Sequence, residues 1–217
     1  MRRLLPAVAM MLAVAALPAC AAENPVELVP DAEGYLHLFN GENLDGWRVR
    51  GSKEDFKIKD GIVRSEHGWG GQLMLFTARE FSDFTLVVEW RVSPGGNSGV
   101  FIRAPWEGWP WETAYEIQIS NEQPPRDDMH CTGSLYGYTA VDPRPDETPE
   151  QWRTYEVTAK GGHISVKVDG VQAVDFEQDS QEDTLHKPLK GYIGVQDSHA
   201  GAGSWIEYRT IKLKPLD

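Results

Sequence analysis

Cysteine is nearly absent from this chain: there are two in 217 residues, Cys20 in a leader-like N-terminus and Cys131 alone in the remainder. No disulfide framework is expected, so stability must come from packing. Basic residues are also scarce, with 21 Lys and Arg against 33 Asp and Glu and a formal net charge of −12. With no basic patch to offset that charge, nucleic acid is not an expected partner, and the acidity reads as solubility of an exported protein. No sustained 3.6-residue stripe, internal repeat or low-complexity tract runs through the sequence. The G-x-S-x-G, P-loop and dinucleotide fingerprints are missing as well, which argues against a nucleophilic serine hydrolase or a nucleotide enzyme. The six histidines show no H-x-x-x-H spacing. Metal signals reduce to the adjacent His130-Cys131 and to Asp127-Asp128 and Asp142, which could serve a hard cation such as calcium.

Residues 1–22 read as an export leader. Arg2-Arg3 is a positive n-region, Leu4 to Leu17 is an apolar run too short to span a bilayer, and small residues follow at Ala19-Cys20-Ala21-Ala22. Two processing routes stay open. Cleavage before Ala22 would release a soluble protein, whereas Leu17-Pro18-Ala19-Cys20 resembles a lipobox that would lipidate Cys20 and tether the chain to a membrane. Either route takes the protein out of the cytoplasm, to the periplasm, the cell envelope or the medium. Residues 23–34 form a polar linker, and 35–217 are expected to be one all-β domain with a core of its own.

Short apolar-alternating runs recur from Tyr35 onward with turn signals between them, including Asp60-Gly61, Gly161-Gly162 and Asp169-Gly170. Strands are predicted near Tyr35–Asn40, Trp47–Arg50, Phe56–Lys59, Ile62–Ser65, Gln72–Thr77, Phe84–Ser93, Gly99–Arg103, Ala114–Ser120, Ser134–Tyr138, Thr154–Ala159, Ile164–Val168, Val171–Phe176, Tyr192–Gln196 and Ser204–Leu213. Helix is limited to a turn around Pro149–Trp152, and irregular insertions fall at Ala104–Thr113 and Asn121–Thr132. The pattern is that of a β-sandwich.

The most informative stretch is Asp83 to Arg103. Phe84, Leu86, Val88, Trp90 and Val92 share one parity, while Glu89 and Arg91 share the other. The strand runs into Pro94-Gly95-Gly96-Asn97, where positive φ and close backbone approach are available. Strand Ala114–Ser120 likewise sets Tyr115, Ile117 and Ile119 against Glu116, Gln118 and Ser120. If the two strands are neighbours, Glu89, Arg91, Glu116 and Gln118 share one concave face; otherwise they are solvated cross-strand pairs worth little. Gln196, Asp197 and His199 close a later strand, and a His beside a carboxylate suits a general base or a metal ligand as well as a plain loop. Trp106, Trp109 and Trp111 lie in a Pro/Gly-punctuated loop. Either they form a cleft rim that stacks on sugar rings, or two of the three bury locally to hold the loop.

The block Leu38-Phe39-Asn40-Gly41-Glu42-Asn43-Leu44-Asp45-Gly46-Trp47 resembles the opening "LFNGxxLxGW" of the 3-keto-disaccharide hydrolase domain family. The likeness continues through Asp60-Gly61-Ile62, Phe84 to Arg91, Gly95-Gly96-Asn97-Ser98-Gly99-Val100 and Tyr115 to Ile119. It then takes in Gly133-Ser134-Leu135-Tyr136-Gly137, Gly191 to Asp197 with His199, and Tyr208 to Ile211. The blocks keep their order along the chain. After Ile119 the family's Asp-containing step is Ser120-Asn121 here, and its "KPxGEWN" is reduced to Pro149-Glu150-Gln151-Trp152-Arg153.

The resemblance implies an all-β, concanavalin A-like jelly roll that acts on 3-keto-glycosides as a lyase, sometimes with a hydratase step. A C3 ketone acidifies the C2 proton, so a base can remove it and expel the C1 substituent. Glu116, His199 and Glu89 are the base candidates. Arg91, Arg103 or a bound divalent cation would hold the enolate. Asn97, Gln118, Tyr136, Gln196, Trp106 and Trp109 would hold the carbohydrate substrate. Two other readings stay open: a glycosidase using Glu89 and Glu116 as a carboxylate pair, and a non-catalytic carbohydrate-binding module. The sharpest expectation is that Glu89, Arg91 and Glu116 face a single cleft that Gln196 and His199 enter from the strand end, with the Trp106–Trp111 loop as a wall.

Overall fold

Two antiparallel sheets stacked face to face make up the computed structural model, which describes residues 26–66 and 74–216. The expected leader with its Cys20 lies outside those residues, as do Gln72 and Leu73. In chain order the strands are β1 (Leu36–His37), β2 (Trp47–Arg50), β3 (Phe56–Lys59), β4 (Ile62–Ser65), β5 (Met74–Thr77), β6 (Phe84–Val92) and β7 (Asn97–Ala104). After a one-turn helix α1 (Pro110–Thr113) come β8 (Tyr115–Ser120), β9 (Arg153–Lys160), β10 (His163–Val168), β11 (Val171–Glu177), β12 (Tyr192–Gln196) and β13 (Ile206–Pro215). The larger sheet runs β11-β10-β9-β6-β13-β4-β3 with β1 paired to β13; the smaller runs β2-β5-β12-β7-β8.

Side-chain parity fixes which face of each strand is inside. On β6, Phe84, Leu86, Val88, Trp90 and Val92 are buried and the residues between them are half-exposed. They meet Tyr155 and Val157 of β9 and Ile211 and Leu213 of β13 within one core, which the smaller sheet closes with Val100, Ile102, Ile117, Ile119 and Val195. Each such side chain withdrawn from water stabilises by roughly 1.5–3 kcal/mol, and many of them must offset the chain entropy. Turn chemistry sets the hairpin registers. Asp60 and Gly61 have φ of 52° and 75°, and Asp169 and Gly170 have 50° and 82°, the pair of left-handed residues that a two-residue hairpin turn needs.

This is the expected jelly-roll sandwich, with local corrections. Tyr35–Asn40 shrinks to the two residues of β1, and no strand forms over Ser134–Tyr138. That segment does run beside β8, with Gln118 N–H donating to Ser134 O and Tyr136 N–H to Glu116 O. A tight turn, Tyr138 N–H to Leu135 O, ends the pairing. The turn expected to be helical at Pro149–Trp152 is irregular, with Glu150 at φ 63°, and α1 falls within the Ala104–Thr113 insertion.

The largest correction concerns neighbours. β6 lies in the larger sheet between β9 and β13, while β8 is the edge of the smaller one. Glu89 and Arg91 therefore share no face with Glu116. Alternation orders the residues within each strand and says nothing about which sheet the strand joins.

Candidate active site

The outer face of the smaller sheet is hollowed by a cavity of about 220 Å³ lined by Asn97, Trp111, Glu116, Gln118, Arg126, Tyr136, Gln196 and His199. Its floor follows from parity. Ile117 and Ile119 turn into the core, so Glu116 and Gln118 must turn out, beneath the loops that cover β8. Glu116 leans across β7, where a Cβ on Gly99 would stand 2.2 Å from its Oε1 and 2.8 Å from its Cδ. Glycine at this position is what admits the carboxyl group.

Burial pushes the Glu116 carboxyl up to about 8, against the opposing charge of Arg126. It is therefore mostly protonated at neutral pH. His199 is shifted the other way: burial lowers its imidazole pKa, opposed by the Asp197 backbone and the charge of Glu122. The His199 backbone N–H donates to Asn97 O at 3.0 Å, which ties the loop after β12 to the start of β7. One cavity thus holds a neutral acid and a neutral base, an arrangement that can give a proton at one point and take one at another.

Polar groups around this pair are held in a network. Arg126 forms an ion pair with Glu122 and its Nη1 donates to the Tyr136 hydroxyl at 3.2 Å. The Asn97 amide donates to the same Glu122 carboxylate at 3.0 Å. Turned so that its nitrogen meets acceptors, the Gln118 amide donates to Glu116 Oε1 at 2.9 Å and Ser98 O at 3.0 Å. Asn121 accepts from Gly95 N–H at 2.9 Å and so anchors the Pro94-Gly95 turn. Among the described residues, no group of three or more His, Cys, Asp or Glu side chains could hold a metal ion.

Of the expected residues, the structure brings Glu116, His199, Asn97, Gln118, Tyr136 and Gln196 together. Glu89, Arg91 and Arg103 lie elsewhere, for distinct reasons. Glu89 is on the outer face of the larger sheet, where Arg209 Nη2 donates to it at 2.8 Å and lowers its pKa, so it is no base for this cavity. Arg91 shares that outer face, bound to Glu207 and 4.7 Å from the Trp152 ring centroid. Arg103 is fully buried as a clamp, donating to Ser82 O, Gly161 O and Asp83. A carboxylate pair of Glu89 and Glu116 is ruled out, because the two lie on opposite outer faces of a sandwich whose sheets alone are about 10 Å apart.

Trp106 stands further along the outer face of the smaller sheet, edge-on to Phe76 at 5.7 Å, and Trp109 is exposed, stacked on Trp111 at 5.0 Å. Only Trp111 of the three reaches the cavity wall. Arg126 was not among the expected residues. It lies in an insertion without strand pattern, and the one available signal was its standing as the sole Arg or Lys between Asn121 and Thr132.

Comparison with known proteins agrees with this architecture. Residues 34–214 match the family model described as a 3-keto-alpha-glucoside-1,2-lyase-like domain. A Bacteroides thetaiotaomicron protein named 3-keto-disaccharide hydrolase is 27% identical over 251 aligned positions, covering 89% of this chain and 82% of that protein. A crystal structure from Parabacteroides distasonis, solved as a candidate glycosyl hydrolase, superposes with a TM-score of 0.73 at 24% identity, covering 86% of this chain and 95% of that one. Bacillus licheniformis β-glucanase shares the fold at a TM-score of 0.58 and 14% identity, over 84% of this chain and 97% of that one.

Proposed function

Because the chain belongs to the 3-keto-alpha-glucoside-1,2-lyase-like family, we propose that its outer-face cavity cleaves 3-keto-glycosides by removing the C2 proton and expelling the C1 substituent. The observation that carries this reading is the meeting of Glu116, kept protonated by burial, with His199, kept neutral by burial, in one cavity.

His199 takes the proton from C2, and the electron pair of the broken C–H bond moves into the C3 carbonyl, leaving an enolate oxygen. Arg126 and the Tyr136 hydroxyl, already hydrogen-bonded to each other, supply positive charge and a donor for that oxygen. When the enolate collapses, the ketone re-forms, a C1=C2 double bond appears and the C1–O bond breaks. Glu116 gives its proton to the departing oxygen. Asn97, Gln118 and Gln196 hold sugar hydroxyls, and Trp111 offers a ring face. Water added to C1, with a proton returned to C2, completes a net hydrolysis.

Export belongs to the same proposal, supported by Arg2-Arg3, the apolar run and the small residues around Cys20. Mass spectrometry of the mature N-terminus separates a lipidated Cys20 from cleavage before Ala22.

The functional test is release of the second sugar from a 3-keto-disaccharide by the purified protein, with the unoxidised disaccharide as control. The oxidised substrate should be cleaved and the control left intact. Glu116→Gln and His199→Ala should each lower turnover about 10²–10⁴-fold. Binding of the oxidised sugar without any release would make this a carbohydrate-binding module instead.

A further inference from the structure

The cavity occupies one end of the smaller sheet's outer face, and the other end carries a different chemistry. Strand register places Arg48 opposite Phe76, Phe76 opposite Gly194, Gly194 opposite Phe101 and Phe101 opposite Glu116. Arg48 and Glu116 are thus the two ends of one cross-strand row. Both side chains lean inward. Glu116 lies over Gly99 of β7, and the Arg48 guanidinium lies 3.5 Å from the centroid of Trp106, whose ring rests edge-on against Phe76 of β5. Arg48 turns to the Tyr192 side of that row and Glu116 to the Gly99 side, so the two head groups bracket the face from β5 to β7 diagonally. That leaves room for a sugar ring at Glu116 with the substituent on C1 reaching Arg48. Trp111 of the cavity wall and Trp106 pack on the same small apolar cluster, so the surface between them is continuous.

Arg48 also lacks what most arginines here have. Arg64, Arg91, Arg126, Arg144, Arg153 and Arg209 each pair with a carboxylate. Among the described residues Arg48 pairs with none, and its one hydrogen bond is a long 3.3 Å contact to the Tyr192 hydroxyl. Its neighbour Arg50 is committed to the backbone carbonyls of Trp106 and Gly108, which holds the loop under Trp106 in place. A guanidinium seated over an indole face can keep in-plane N–H groups free to grip a carboxylate with two parallel hydrogen bonds. In a chain with a net charge of −12, an arginine left without an acid at the end of a substrate face marks a place for an acid from outside.

We propose that Arg48, laid on Trp106, is a subsite for a carboxylate carried by the leaving group, so that 3-keto-glycosides of acidic aglycones are the preferred substrates. This rests on the 3-keto-glycoside reading above. It is tested with two matched 3-keto-glucosides, one of 4-hydroxybenzoate and one of its neutral counterpart 4-hydroxybenzamide. The wild-type protein should favour the benzoate in kcat/KM by tenfold or more. Arg48→Met should bring that ratio to one or below, because the acidic protein then repels the anion. Arg48→Lys, which keeps the charge and loses the fork, should fall between. A wild-type ratio near one, or an unchanged ratio in Arg48→Met, overturns the subsite and leaves the reaction standing. If neither compound is cleaved, the reaction itself fails, and calorimetry decides the subsite: tighter binding of the benzoate that Arg48→Met abolishes supports it, and equal affinities reject it.

Discussion

Replacing Gly99 with alanine tests the site through a single methyl group. The added Cβ would stand 2.2 Å from Glu116 Oε1 and 2.8 Å from both Cγ and Cδ, where ordinary contact begins at 3.4 Å. The Gly99 backbone is not in the left-handed region, so the substitution strains no dihedral, and Gly→Ala alone is worth only about 0.4–1 kcal/mol through the unfolded state. The side chain must instead give way. Restoring contact requires Oε1 to move by about 1.2 Å, toward the open cavity. A displacement of about 1 Å in a catalytic group costs on the order of 10²-fold in rate. The same move hydrates the carboxyl, so its pKa should fall from about 8 toward the ordinary 4.5. Steady-state kinetics on a 3-keto-disaccharide across pH 5–9 should therefore show a roughly hundredfold loss in kcat and an alkaline limb displaced to lower pH. The melting temperature should move by only a few degrees. Wild-type kcat with an unmoved alkaline limb would refute the placement of Glu116 in the reaction.

Wild-type kcat/KM should follow a bell in pH, rising as His199 loses its proton below the ordinary histidine value and falling as Glu116 ionises near 8; Glu116→Gln should remove the alkaline limb from whatever activity remains. Asp197 is fully buried with neither carboxylate oxygen hydrogen-bonded, and burial pushes its pKa up to about 7. Below the unfolded value of 3.8 both states hold the proton. As pH rises from there to about 7 the unfolded chain ionises first, so stability declines and then levels off. Asp197→Asn should accordingly be more stable than wild type at pH 8, by at most about 4 kcal/mol in urea unfolding, and equal to it near pH 3.5. Arg103→Met should cost roughly 2–4 kcal/mol, since it leaves carbonyls and Asp83 without their donor, and a kcat change above threefold would contradict its role as a clamp remote from the cavity. Glu89→Gln should leave turnover within twofold and stability within about 1 kcal/mol, as expected of a surface pair.

What could be read from the sequence, and what could not, divides along a physical line. The alternation on β6 and β8 correctly gave the inward set of each strand and the outward turn of Glu116 and Gln118, because side-chain direction is a local property of the pleat. Partnering is non-local. Nothing in either strand says that β6 joins β9 and β13 while β8 joins β7, and that gap misplaced Glu89 and Arg91. Arg103 was misread for a related reason. It ends β7 at φ 53°, and its side chain is buried against Ser82, Gly161 and Asp83 from distant parts of the chain. Arg126 reaches the cavity from an irregular loop with no period to read, and Tyr136 is placed by backbone bonds to β8 that only the folded chain reveals. The pKa shifts of Glu116 and His199 are likewise products of burial, invisible until the loops have closed over the sheet.

Breaking the C2–H bond of an oxidised sugar is the central claim, and a kinetic isotope effect tests it most directly. A 3-keto-disaccharide carrying deuterium at C2 would be compared with the protium compound under single-turnover conditions, following release of the second sugar. Proton abstraction by His199 requires a primary effect, with the deuterated substrate cleaved about two to sevenfold more slowly at a rate-limiting C–H step. A ratio of one, together with cleavage of the unoxidised disaccharide at a comparable rate, would mean that the C1–O bond breaks without the enolate and would contradict the mechanism.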